Sequence, residues 1–272
     1  MPELPEVETT RRGVAPHVTG QTVARVVVRE SRLRWPVDPQ LGSYVAGQHI
    51  LAVDRRAKYL LFRLQQGSLM LHLGMSGSLR VLPQWHEPAR HDHLDLILGD
   101  GSVVRYTDPR RFGSLHWLPA DAVAPHPLLA ALGPEPLSSV FTGDYLYRQS
   151  RGRRCAVKSF IMDARIVVGV GNIYACESLF LAGVRPERAA GRVGLVRYQR
   201  LAAAITTVLE QAIAAGGTTL RDFVGVGGQP GYFSQDLRVY GKEGAPCPAC
   251  GEPIRRRVLG QRSTFFCHRC QR

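Results

Sequence analysis

Along these 272 residues the spacing of apolar positions changes character three times, and each change predicts a different kind of element. Residues 2–17 read as a helix. Pro2 and Pro5 suit a first turn, Glu3, Glu6 and Glu8 come early, and Arg11 and Arg12 come late, as the helix macrodipole favours. From Thr22 to about Leu118 the period shortens to that of strands. Val23, Val26 and Val28 open this region, residues 59–64, 68–73, 79–82 and 94–98 continue it, and Asp100-Gly101 marks a hairpin before 103–106. Short strands joined by tight turns predict an antiparallel sandwich or barrel. Residues 119–139 hold five prolines and read as a linker.

Beyond the linker the helical period returns. Residues 172–182 form one short helix, with Gly169-Val170-Gly171 ahead of it and Gly183 behind. Residues 195–215 form a longer one, with Leu201, Ile205, Val208, Leu209, Ala212 and Ile213 on one face and Gly216-Gly217 as the stop. Residues 225–231, with four glycines and a proline, read as a mobile loop. The outline is a β-rich N-terminal part, a helical part and a small cysteine-bearing tail, with no internal repeat.

Charge changes the picture next. Lys and Arg number 35 against 22 Asp and Glu, a net charge of +13. A cationic surface of this size favours polyanions, through release of counterions from phosphates. Only Lys58, Lys158 and Lys242 are lysines, so each marks a place where a proton can be given up as arginine cannot. No apolar run reaches the roughly 18 residues of a membrane span. The first residues carry carboxylates where an export signal carries positive charge, so the expectation is a cytoplasmic protein that meets no membrane.

Cysteine usage adds a metal. Cys247 and Cys250, then Cys267 and Cys270, form two Cys-x2-Cys knuckles that supply four thiolates for one structural Zn2+. A disulfide pair is the alternative, and His268 could replace one ligand. Cys155 and Cys176 read as small buried residues of a reducing compartment. Between the knuckles lie Arg255, Arg256, Arg257, Arg262, Thr264, Phe265 and Phe266, a hairpin with a basic face. Arg110-Arg111-Phe112 sits in a loop between strands, where exposed arginine beside an aromatic can enter a base stack; the ordinary reading is a capped turn with a core phenylalanine. Gly169-Val170-Gly171-Asn172 opens a helix and offers bare amides to a phosphate.

Taken together, Pro2-Glu3-Leu4-Pro5-Glu6-Val7-Glu8, Arg55-Arg56-Ala57-Lys58-Tyr59, His72-Leu73-Gly74-Met75-Ser76-Gly77, the Arg110–Phe112 loop, residues 169–178 and the terminal knuckles closely resemble the formamidopyrimidine-DNA glycosylase family. The resemblance runs in order from Pro2 to Arg272. It implies an α+β, multidomain fold: an antiparallel β-sandwich with a leading helix over 1–131, a linker over 132–150, a helix–two-turn–helix domain over 151–233 and a zinc-finger β-hairpin over 234–272. It implies a DNA glycosylase and abasic-site lyase acting as a monomer on double-stranded DNA that contains an oxidised purine or an abasic site, with no organic cofactor.

The resemblance also implies roles. Pro2 is cast as nucleophile, which requires that Met1 be removed. Its secondary amine has a reference pKa of about 8, which a helix N-terminus lowers further. Glu3 is the general acid, leaving Glu6 to complement the dipole. Lys58 is the proton donor of β-elimination. Arg262 matches the residue of the second, δ-elimination step, although phosphate clamping suits its pKa better. Met75, Arg110 and Phe112 match the set that fills the void left by a flipped nucleotide. His72, His91, Arg153, Asn172 and Tyr240, with Arg262, align with phosphate contacts. The lesion loop, 218–232, is unusually bare, so no base contact is carried over there. Two other readings stand beside this one: an oxidised-pyrimidine glycosylase of the same fold, disfavoured by Met75, Arg110 and Phe112, and a non-catalytic zinc-finger DNA-binding protein, which needs neither Pro2-Glu3 nor Lys58.

Overall fold

A computed structural model describes residues 2–217 and 237–272; the lesion loop, with the glycine-rich stretch 225–231 inside it, lies outside the described residues. The chain divides into two compact units. The first takes in the chain up to Ala130, and the second runs from Ala131 to Ala214 and includes the C-terminal residues from 237 on.

The first unit opens with helix α1 (Leu4–Val18). Leu4, Val7, Val14 and Val18 are almost wholly buried, a spacing that puts them on one side of the helix. Strand β1 (Val23–Val28) is followed by a short helix, α2 (Leu41–Val45), and by β2 (Ile50–Arg56), β3 (Tyr59–Leu64) and β4 (Gly67–His72). Then come β5 (Ser78–Leu82), β6 (Asp92–Leu98), β7 (Val103–Thr107) and β8 (Ser114–Pro119). These strands make two four-stranded antiparallel sheets, ordered β1-β6-β7-β5 and β2-β3-β4-β8. Val23, Leu79, Leu94, Leu96 and Val104 of one sheet share a core with Ile50, Leu60, Phe62, Leu69 and Leu71 of the other, closed by Val7, Val14 and Val18 of α1. A sandwich with a leading helix results.

β6 is longer than its apolar residues predicted, and it is buried on both faces. The reason is ionic. Asp95 is fully buried and accepts paired hydrogen bonds from Arg29 at 2.9 and 2.8 Å and from Arg105 at 2.8 and 2.8 Å. Arg105 in turn donates to the His86 carbonyl at 2.7 Å, drawing the segment before β6 toward the strand. Within the stretch read as a linker, residues 120–122 form a 3-10 turn and α3 (Pro127–Ala130) a single helical turn.

The second unit contains α4 (Gly143–Ser150), α5 (Val157–Ile161), α6 (Asn172–Leu181) and α7 (Leu195–Ala214). α4 starts at Thr142, whose hydroxyl accepts the Tyr145 N–H at 3.1 Å. α7 buries Leu201, Ile205, Val208, Leu209, Ala212 and Ile213, the face expected of it, and both α4 and α6 pack on it. The tail folds as a hairpin of β9 (Arg255–Leu259) and β10 (Arg262–Phe266). Gly260 and Gln261 join the strands with φ of 54° and 60°, as a two-residue turn of the primed class requires. Among the described residues no helix is long and apolar enough to cross a membrane. Cys176 is buried as expected, whereas Cys155 is exposed.

Candidate active site and nucleic-acid interface

The amino end of α1 carries two of the expected catalytic residues. Pro2 is buried, and Glu3, the N-cap, is 2% exposed. Glu6 accepts the Glu3 N–H at 2.7 Å, one half of a capping box. The role assigned to Glu6, complementing the positive end of the helix, is therefore filled by an actual hydrogen bond.

Lys58 sits with Ala57 in the two-residue turn between β2 and β3, whose last pair is Arg56 and Tyr59. Ala57 has φ of 55°, left-handed backbone that a Cβ disfavours. What holds it there is visible. Arg55 donates to the Ala57 carbonyl at 2.9 Å and to Glu8 of α1 at 3.1 Å. Glu8 also accepts from Arg11 and Arg12 at 2.8 Å each. Burial alone would raise the Glu8 pKa, but the hydrogen bonds and charges of Arg11, Arg12 and Arg55 outweigh it and bring the carboxyl down to about 2. Glu8 and Arg55 thus tie the helix that begins at Pro2 to the turn that presents Lys58.

His72 ends β4 and stacks at a tilt on Tyr59, ring centres 4.9 Å apart. Burial first, then the Lys58 and Arg34 charges, lower its pKa to about 4. Its Nδ1 accepts the Gly74 N–H at 3.0 Å, so the neutral ring carries its proton on Nε2 and can donate there. Met75 follows in a turn, half-buried. Arg110 and Phe112 lie in the turn between β7 and β8, and both are exposed, Phe112 by 44%. The alternative of a core phenylalanine is thereby set aside. The Arg110 guanidinium lies 5.0 Å from the centre of the Phe112 ring. His91, just before β6, is half-buried, and its carbonyl accepts the Asp108 N–H at 3.0 Å.

In the second unit the residues before and after α6 converge on one cation. Lys158 of α5 is 1% exposed and donates to Asn172 at 2.5 Å and to Thr264 of β10 at 2.7 Å. Asn172 donates to the Ser263 carbonyl at 3.0 Å and to the Tyr240 hydroxyl at 3.5 Å. Glu177, further along α6, accepts the N–H groups of Arg238, Val239 and Tyr240 at 2.8, 3.0 and 2.8 Å. Asn172 and Tyr240 are thus brought together, and the hairpin that carries Arg262 is pinned beside them. Arg262 opens β10 and is exposed, as is Arg153 in the segment between α4 and α5. The sequence marks Lys158 only as a rare lysine and Glu8 only as an early helix carboxylate, and gives no sign of Glu177; the partners Arg55 of Glu8 and Tyr240 of Glu177 lie across the fold.

The four cysteines come together as expected. Their sulfurs lie within 4.8 Å of one another, with 3.9 Å between Cys247 and Cys270 and 3.5 Å between Cys250 and Cys267. Tetrahedral zinc with Zn–S bonds of about 2.3 Å needs sulfurs about 3.8 Å apart, so the donor set fits one structural zinc site. Val239, Ile254 and Phe265 pack around it.

Comparison with known proteins follows the same divisions. The profile of the formamidopyrimidine-DNA glycosylase N-terminal domain matches residues 1–115, that of the formamidopyrimidine-DNA glycosylase H2TH domain matches 132–224, and that of a zinc finger found in FPG and IleRS matches 244–272. A formamidopyrimidine-DNA glycosylase from Alkalilimnicola ehrlichii is 63% identical over 278 residues, spanning all of both chains. The MutM (Fpg) protein of Thermus thermophilus superposes with a TM-score of 0.89 at 42% identity, covering 99% of this chain and 98% of that one. A Lactococcus lactis FPG mutant in complex with DNA containing Fapy-dG gives 0.92 at 32% identity over the whole of both chains.

Proposed function

Since the chain belongs to the formamidopyrimidine-DNA glycosylase family, we propose that it excises oxidised purines, 8-oxoguanine and formamidopyrimidines, from duplex DNA and then cleaves the abasic strand. The observation that carries this reading is the pairing of a buried Pro2-Glu3 start of α1 with a Lys58 turn strapped to the same helix through Glu8 and Arg55. A protein that only binds DNA has no use for that arrangement.

The chemistry proceeds on a nucleotide turned out of the helix, because C1′ is out of reach inside the stack. With Met1 removed, the Pro2 nitrogen bonds to C1′, the glycosidic bond breaks, and its electron pair leaves with the base, which takes the ammonium proton. Glu3 gives a proton to the ring oxygen as the C1′–O4′ bond opens, and the nitrogen lone pair completes a cationic iminium. The iminium acidifies C2′. Loss of a C2′ proton then breaks the C3′–O bond, the 3′ phosphate leaving with the electron pair, with Lys58 supplying a proton at this stage. A second, δ-elimination follows at the 5′ side, where Arg262 clamps phosphate. His72, His91, Arg153, Asn172 and Tyr240 position the backbone; Met75, Arg110 and Phe112 occupy the space left by the flipped nucleotide. The zinc site supplies structure and takes no part in the steps, since four protein ligands leave no open position for water. The resulting protein is a monomer at work on nucleoid DNA in the cytoplasm.

Borohydride trapping on a duplex with one 8-oxoguanine opposite cytosine tests this. A covalent adduct mapped to Pro2 is expected, and Pro2→Gly should still bind the lesion while forming the adduct far more slowly. Lesion binding without any adduct, on a wild-type chain whose mature N-terminus is proline, would make the protein a non-catalytic reader of damage. Equal action on oxidised pyrimidines would shift the substrate class.

A further inference from the structure

Three residues assigned to the flipped-out nucleotide's void come from two separate loops, Met75 from the turn after β4 and Arg110 and Phe112 from the turn after β7. What joins the loops is a buried carboxylate. Asp108 is 0% exposed. Its Oδ1 accepts the Ser76 hydroxyl at 2.7 Å, and its Oδ2 accepts the Tyr106 hydroxyl at 3.0 Å and the Gly113 N–H at 2.9 Å. The Ser76 oxygen in turn accepts the Arg110 N–H at 3.1 Å. The Asp108 carbonyl accepts from Arg111 N–H at 3.1 Å and lies 2.7 Å from His93 Nε2. One side chain therefore grips both loops, and Ser76, next to Met75, is the joint between them.

Backbone contact reinforces the joint. A Cβ on Gly74 would lie 2.4 Å from the Gly113 nitrogen and 2.4 Å from the Phe112 carbonyl carbon, so the loops touch main chain to main chain. A Cβ on Gly113 would meet the Tyr106 hydroxyl at 1.7 Å. Burial, with the Asp108 charge beside it, pushes the Tyr106 phenol pKa up and keeps it a donor. The network thus runs from the core residue Tyr106 out to residues that add nothing to the core: Arg110, Arg111 and Phe112 are exposed. A buried charge is costly to hold on neutral donors. What it secures is a set of side chains fixed before DNA arrives, which lowers the ordering cost of inserting them.

We propose that Asp108 and Ser76 are positioning residues that lock Met75, Arg110 and Phe112 into one insertion unit, so that opening the duplex, and not the covalent chemistry, depends on them. The proposal rests on the function given above. It predicts a split between substrates. A single strand with an abasic site has no stack to invade and no orphaned base to satisfy, whereas a duplex has both.

The test compares wild type, Ser76→Ala and Asp108→Asn on an abasic site in duplex and in single-stranded oligonucleotide, with a neighbouring 2-aminopurine reporting unstacking. Ser76→Ala removes the joint and leaves Tyr106 and Gly113 on the carboxylate, so the sandwich stays folded. Duplex cleavage and the 2-aminopurine rise should slow about tenfold, the effect of one ordinary buried hydrogen bond, while single-strand cleavage stays within about twofold of wild type. Asp108→Asn should show the same split, larger. Duplex rates unchanged in both variants overturn the proposal. So does an equal fall on both substrates, which would place these residues in the chemistry or in general stability. A wild-type protein inert on both substrates would instead sink the glycosylase/lyase reading, and the insertion unit with it.

Discussion

Burial and the neighbouring Lys58 and Arg34 charges hold the His72 imidazole neutral far into acid, with a pKa of about 4 against an ordinary 6.5. A neutral ring with Nδ1 already accepting from Gly74 is a fixed Nε2–H donor, a suitable partner for a phosphate oxygen at any physiological pH. The same shift has a consequence for stability. Below 6.5 the unfolded chain takes up a proton that folded His72 refuses, so stability is full above 6.5 and falls as the pH drops toward 4, by at most about 3 kcal/mol. Glu8 acts lower down: its stabilisation is complete above 4.5 and is lost only as the pH approaches about 2. Urea melts at about pH 7.5 and about pH 4.5 should therefore show wild type losing more stability than His72→Gln, because only wild type carries the depressed imidazole. Equal losses would mean that the ring is protonated as readily in the folded protein as in the unfolded chain.

The β2–β3 turn shows a local rule being broken in favour of a site. Left-handed backbone at Ala57 is glycine's conformation, and the bonds from Glu8 through Arg55 to the Ala57 carbonyl keep it in place. Ala57→Gly should raise stability by about 0.5–1 kcal/mol, read as a higher urea midpoint at unchanged slope. A lower midpoint would mean that the alanine methyl, itself 4% exposed, contributes more packing than its backbone costs. This turn also marks where the sequence was legible and where it was not. Strand 59–64 could be read to the residue because its apolar run is flanked by polar Lys58 and Gln65-Gln66, and α7 because its apolar face repeats from Leu201 to Ile213. β2 escaped because its second half is Asp54-Arg55-Arg56, charges that a periodicity argument gives to solvent, whereas Arg55 turns to Glu8 and Asp54 accepts from Arg63 of the neighbouring strand. The same blindness shortened β6, whose Asp92 and Asp95 are buried against Arg29, just after β1, Arg80 of β5 and Arg105 of β7. α4 was missed because Leu146 is its only aliphatic anchor. The four cysteines were legible as a local motif, and so were the proposed catalytic residues Pro2, Glu3 and Lys58, whereas the proposed roles of Asp108 and Ser76 rest on a hydrogen bond spanning 32 positions, which no local pattern encodes.

At the scale of the whole molecule the question is how a net charge of +13 divides between holding DNA and recognising damage. Many arginines are already committed: Arg29, Arg80 and Arg105 to buried aspartates, Arg55 to Glu8, Arg257 to Glu187. Each carboxylate in these pairs cancels one positive charge that would otherwise face a phosphate. Arg153 differs, exposed in a run with Arg151 and Arg154 and followed by the buried start of α5. Arg110 differs again, exposed but laid over Phe112 in the insertion loop. A phosphate contact releases counterions and a base contact does not, so the two arginines should separate in a salt titration. For Arg153→Ala, affinity for damaged and undamaged duplexes should fall together, and the slope of log K against log salt should flatten by about 0.9. For Arg110→Ala, the slope should hold while preference for a lesion opposite cytosine is lost, since the orphaned base has no partner. Identical slope changes in the two variants would show that both arginines meet phosphate, and recognition of the opposite base would then have to reside elsewhere on the chain.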